Sequence, residues 1–261
     1  MKLFSAIGLL FIIACNSPQK NENISMPGAY KMLSQSVKGP KVDTTYLSLQ
    51  QLKIYTDDYM MYANINPSDS MSSFGIGTFS AEKDTVTEKV IYSASDSSRN
   101  DNGGNFKLVI TKTDKGYKQV IPEIESQGQK FMLTEEYESA GTAAKSPIDG
   151  AWKMSKVFYV KGKDTSTVKA TQFKVYYAGH FIWGHSYTDS AQKKHTGMGF
   201  GKFEMNGTNK LKETVAASTY YQIRGQDVEL DIEMNGNDEF KQTITNKDGG
   251  KSVEIYQRLK K

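Results

Sequence analysis

"GAWKM" at residues 150–154 repeats "GAYKM" at 28–32, with one aromatic exchanged for another. Four further pairs follow in the same order at nearly the same spacing. "QLKIY" (51–55) is matched by "QFKVY" (172–176), and "YMMYA" (59–63) by "HFIWG" (180–184). "FGIGTF" (74–79) is matched by "MGFGKF" (198–203), and "YKQV" (117–120) by "FKQT" (240–243). One such pair is within reach of chance. Five in register mark a duplication, and two copies make a tandem pair of domains rather than a solenoid.

Each copy has a period of two. "DVELDIEM" (227–234) places Val228, Leu230, Ile232 and Met234 on one face and four carboxylates on the other, the pattern of a half-buried antiparallel strand. "SVEIYQRL" (252–259) and "NFKLVI" (105–110) alternate likewise, and Gly/Asn turns such as "NDNGGN" and "NKDGG" separate such runs. No amphipathic helix is evident after the N-terminal segment. The second copy divides into eight strands near 150–160, 170–177, 180–188, 196–204, 210–218, 227–234, 238–245 and 251–259. Eight antiparallel strands joined by short hairpins close into an up-and-down barrel, which leaves no exposed edge. The expected fold is therefore all-β, two eight-stranded barrels in tandem.

The chain starts with "MKLFSAIGLLFIIAC", a basic residue and then an apolar run too short to span a bilayer. Ile12-Ile13-Ala14-Cys15 resembles a bacterial lipobox, in which small Ala14 precedes the cut and the Cys15 thiol is acylated. Cys15 is the chain's one cysteine, so no disulfide is expected and the thiol is assigned to the anchor. Residues 1–15 are read as a lipoprotein signal peptide and 16–27, polar and with two prolines, as a flexible tether. Residues 28–138 form the first barrel, 139–147 ("SAGTAAKSP") a linker, and 148–261 the second barrel. Asn16 is not an aspartate retention signal. The expected location is the cell envelope, lipid-anchored in the outer membrane, facing either periplasm or exterior.

Gly150-Ala151-Trp152 in the first strand and Arg258 in the last resemble the calycin superfamily, which includes lipocalins. The run "GAWKM…QFKVYYAGHFIWG…GMGFGKF…LKETV…EIYQRL" resembles the lipocalin-like domains of bacterial lipoproteins. The resemblance implies that Trp152 and Arg258 pack together as a structural plug across one barrel end, a desolvated cation–π contact. The first copy departs from it, with Tyr30 in place of Trp and no late arginine.

Net charge is +4 with no dense basic stripe, which gives no case for nucleic acid. No Gly-rich phosphate loop and no His-Glu-x-x-His occur, and no thiol remains for catalysis. His180, His185 and His195 lie close in sequence, but the first two fall on opposite faces of one strand, so neither a metal nor a cofactor is expected. Aromatic residues give the stronger signal. Phe181, Trp183, His185 and Tyr187 share one face of a strand, and Phe173, Val175 and Tyr177 share one face of the strand before it. Pointing inward, these rings either line a pocket for a mostly apolar ligand or fill a solid core. Glu213, matched by Glu88 in the first copy, either faces out or faces in with a partner or a ligand's polar head. The expected function is a non-catalytic envelope lipoprotein binding a small apolar ligand in the second barrel. The alternative is a scaffold with filled barrels and a protein or glycan partner; an enzyme is the weakest reading.

Overall fold

A computed structural model describes residues 23–47, 49–66, 72–95, 104–126 and 128–261. Cys15, the signal segment and residues 16–22 of the tether lie outside the described residues. The first sheet contains β1 (Gly28–Gly39), β2 (Val42–Tyr46), β3 (Gln50–Tyr55), β4 (Tyr59–Ile65), β5 (Ser73–Glu82), β6 (Thr85–Ser95), β7 (Asn105–Lys112), β8 (Gly116–Ser126) and β9 (Gln129–Ser139). The second contains β10 (Gly150–Lys161), β11 (Asp164–Thr167), β12 (Thr171–Tyr177), β13 (His180–Thr188) and β14 (Lys194–Asn206). It continues through β15 (Lys210–Ser218), β16 (Asp227–Asn235), β17 (Glu239–Thr245) and β18 (Lys251–Arg258).

Both sheets run antiparallel in chain order and close on themselves, β1 on β9 and β10 on β18. The fold is two closed eight-stranded barrels in tandem. In each there is one strand beyond the expected eight, because the long opening strand splits its edge. Gly150–Lys153 pairs with β12, whereas Phe158–Lys161 pairs with β11. β1 divides between β3 and β2 in the same way. β2 and β11 are exposed throughout, so no hydrophobic period marks them in the sequence.

One end of each barrel is plugged. In the second, Trp152 is fully buried, donates its indole N–H to the Ile148 carbonyl at 2.9 Å, and meets Phe240 edge-on at 4.7 Å. The Arg258 guanidinium lies 4.0 Å from the Trp152 ring and donates to the Asp149 carbonyl at 2.6 Å. In the first, Tyr30 replaces Trp152, donates to the Met26 carbonyl at 3.1 Å, and meets Tyr117 edge-on at 4.8 Å. Ser139 sits where Arg258 would be, so no cation–π contact closes this end. Met26 is buried, and Ile24 donates to the Lys83 carbonyl at 2.9 Å. The end of the expected tether is therefore part of the first barrel, which Met26 plugs from below as Ile148 plugs the second.

The two barrels share an apolar seam. Leu52, Ile54, Met61, Ala63, Phe74 and Ile76 on the outer faces of β3–β5 cluster with Phe173, Val175, Ile182, Met198 and Phe200 on β12–β14. The same strands of each copy meet, and Gly184 leaves room for the ring of Phe74. These strands are buried on both faces, one toward the barrel interior and one toward the other barrel.

Candidate functional site

The middle of each barrel is filled by the same seven polar residues. In the second barrel, alternation along β12 turns Gln172, Lys174 and Tyr176 inward. Lys174 Nζ donates to Glu213 Oε1 at 3.0 Å, to Gln242 Oε1 at 3.0 Å and to the Tyr176 hydroxyl at 3.1 Å. The Tyr176 hydroxyl also donates to Glu213. Gln242 carries the network to Glu254 at 2.7 Å, where Tyr256 and Gln172 join. The first barrel repeats it with Gln51, Lys53, Tyr55, Glu88, Gln119, Glu135 and Tyr137, and Lys53 Nζ stands 2.7 Å from Glu88. Burial, with the nearby carboxylates, pushes the Tyr55, Tyr137, Tyr176 and Tyr256 hydroxyls well above their usual range, so they act as donors. Buried charges need partners to this degree, and these sites are satisfied by one another rather than held open.

Above this layer the second barrel carries a ladder of rings that the first lacks. Trp183 stacks on His185 at 5.4 Å and on Tyr220 at 5.9 Å, and Tyr187 stacks on His195 at 4.9 Å. Gly199 and Gly197 lie opposite Trp183 and His185 on β14, and a Cβ at either would strike the rings. His185 Nε2 is 2.8 Å from the Tyr220 hydroxyl, and burial lowers the imidazole pKa from 6.5 to about 4. His195 hydrogen-bonds Asp189 at 2.7 Å, and His180 faces outward with Nδ1 3.1 Å from the Ala178 carbonyl. The three histidines thus point to three places. Among the described residues no group of three His, Cys, Asp or Glu side chains is arranged to hold a metal ion.

Beyond the ladder is a cavity of about 1030 Å³. It opens where β10, after its bulge at Met154–Lys156, has left β12. Met154, Val157, Val168, Ala170 and Tyr187 line it, and Tyr92 and Ala94 of β6 form a wall from the first barrel. The Tyr92 hydroxyl hydrogen-bonds Ser186 across this junction.

The expected site residues therefore separate. Trp183 and His185 form the ladder, and Tyr187 reaches the cavity. Phe181 lies deeper, against Tyr176 at the plugged end. Glu213 faces inward and is paired with Lys174. Phe173 and Tyr177, expected to be inward with the rings, are on the outer face. Phe173 packs 5.1 Å from Tyr92 of the first barrel, and the Tyr177 hydroxyl is 3.4 Å from Asp57. Apolar character alone selected the wrong face, because β12 buries both of its faces and reserves the inner one for Lys174. Sequence reading missed Lys174, Gln172, Gln242, Glu254 and Tyr256. Their signal was available: in "QLKIY" and "QFKVY" the residues identical between copies are Gln, Lys and Tyr, and the varying ones face the seam.

Each copy closes as an antiparallel up-and-down barrel, and the chain carries two of them in tandem, the architecture that the resemblance to lipocalin-like domains implied. No family model and no curated protein matches the chain. Among solved structures it is similar to a lipocalin-like protein from Bacteroides uniformis, with 13% identity over 44% of this chain and 100% of that one, at a TM-score of 0.29. It is also similar to a protein of unknown function from Nostoc punctiforme, with 9% identity over 89% of this chain and 96% of that one, at a TM-score of 0.26.

Proposed function

We propose that this chain is a lipid-anchored envelope lipoprotein, held to the membrane through acylated Cys15, whose second barrel binds a small, mostly apolar ligand at its mouth. The observation that carries the reading is the cavity of about 1030 Å³ lined by Met154, Val157, Val168, Ala170 and Tyr187. Its size suits a small-molecule site, and these apolar groups stand among polar ones such as Ser155, Thr171 and Ser186. The ligand sits above the polar network, not within the barrel, because Lys174, Glu213 and their partners already fill the middle. The asymmetry between copies supports the same assignment: Trp183 and His185 of the ladder are Tyr62 and Asn64 in the first copy.

A neutral apolar dye such as Nile red tests this. Tyr187 is 36% exposed, so Tyr187→Ala leaves the fold intact while removing a wall of the cavity. The variant should lose most of the dye uptake, and Tyr62→Ala, checked for folding, should keep it. The filled barrel middles favour the scaffold reading as the alternative. A parent protein that takes up no dye would leave the scaffold reading in its place.

A further inference from the structure

The charged side chains among the described lining of the cavity at the second mouth are all basic. Lys156, Lys169, Lys193 and Lys194 line it, and among the described residues no aspartate or glutamate does. Three of them come from separate places: Lys156 from β10 just past its bulge, Lys169 from the β11–β12 connection, and Lys193 from the β13–β14 turn. Some lysines elsewhere are paired, as Lys161 with Asp248 at 3.0 Å and Lys174 with Glu213 at 3.0 Å. Among the described residues, none of the three reaches a carboxylate. Three ammonium groups held around one opening repel each other and gain by sharing an anion. The surface between them is mixed: Met154, Val157, Val168 and Tyr187 from the second barrel and Ala94 from the first give apolar patches among Ser155, Thr171, Ser186 and Thr196.

We infer that the ligand of this site is an amphiphile with an anionic head, a carboxylate, phosphate or sulfate. The three lysines take the head and the apolar patches take the tail. Lysine presents a compact charge without the fixed fork of arginine, so the head is selected by charge rather than by geometry. Because Tyr92 and Ala94 complete the wall, the site belongs to both barrels. This inference rests on the ligand-binding reading above and adds the class of ligand.

Calorimetric titration below aggregation concentrations separates the two claims. The probes are dodecyl phosphate, dodecanol and inorganic phosphate, each against the parent and a Lys156→Gln/Lys169→Gln/Lys193→Gln variant. All three lysines are exposed, so the variant folds. The parent should bind dodecyl phosphate at least about 10-fold more tightly than dodecanol, and the variant should bind the two alike. Equal binding of both by the parent would overturn head recognition and leave the apolar site standing. Inorganic phosphate binding as tightly as dodecyl phosphate would overturn the amphiphile in favour of a plain anion site. Failure of both alkyl compounds to bind would remove the apolar site and this inference together.

Discussion

Acid should destabilise the second barrel through His185. The imidazole is held neutral among Trp183, Tyr187 and Tyr220, and burial lowers its pKa from 6.5 to about 4. In the unfolded chain the same group titrates near 6.5. Between those two values the unfolded state binds more protons than the folded one, so stability falls as pH falls. The contribution is intact above pH 6.5, declines through the window, and is fully lost below about pH 4. A shift of this size corresponds to about 3 kcal/mol, at 1.36 kcal/mol per pH unit. Carboxylates titrate in the same range, so the informative quantity is a difference between proteins. Both tryptophans, Trp152 and Trp183, lie in the second barrel, so intrinsic fluorescence follows its unfolding in urea. His185→Gln cannot titrate. Between pH 7 and pH 4.5 it should lose about 2–3 kcal/mol less stability than the parent. Equal losses in the two proteins would refute the buried, neutral His185.

Lys174→Met should cost about 3–5 kcal/mol, because Glu213 is left buried with Tyr176 as its remaining partner, and Lys174→Met/Glu213→Leu should recover much of that loss in urea titrations. Gly201→Ala should cost about 1–3 kcal/mol, since its Cβ would stand 2.0 Å from the Thr214 carbonyl oxygen at the β14 bulge; thermal unfolding reads it. A backbone clash has no rotamer to escape into, so an unchanged midpoint would contradict the bulge geometry. Cys15→Ser should move the protein from the membrane to the soluble fraction, and unchanged partition would count against the anchor.

The sequence by itself determined the duplication, the strand positions and the barrel class. Period-two alternation and turn residues are local properties, and they survive in any fold that buries one face. Alternation also placed Phe181, Trp183, His185 and Tyr187 on one face of β13, while the packing of Arg258 on Trp152 was implied by the resemblance. The sequence did not determine which face of β12 is inside. Alternation gives two faces and no sign, and the usual sign, that apolar residues go in, fails when a second barrel covers the outside. Phe173 and Tyr177 therefore lie in the seam, and Lys174 lies in the interior, where a carboxylate from β15 awaits it. β2 and β11 were invisible for the opposite reason: exposed on both faces, they have no burial to record in their residues. The cavity belongs wholly to the tertiary structure. It exists because β10 parts from β12 and because β6 of the first barrel closes its side, and no stretch of sequence contains that juxtaposition.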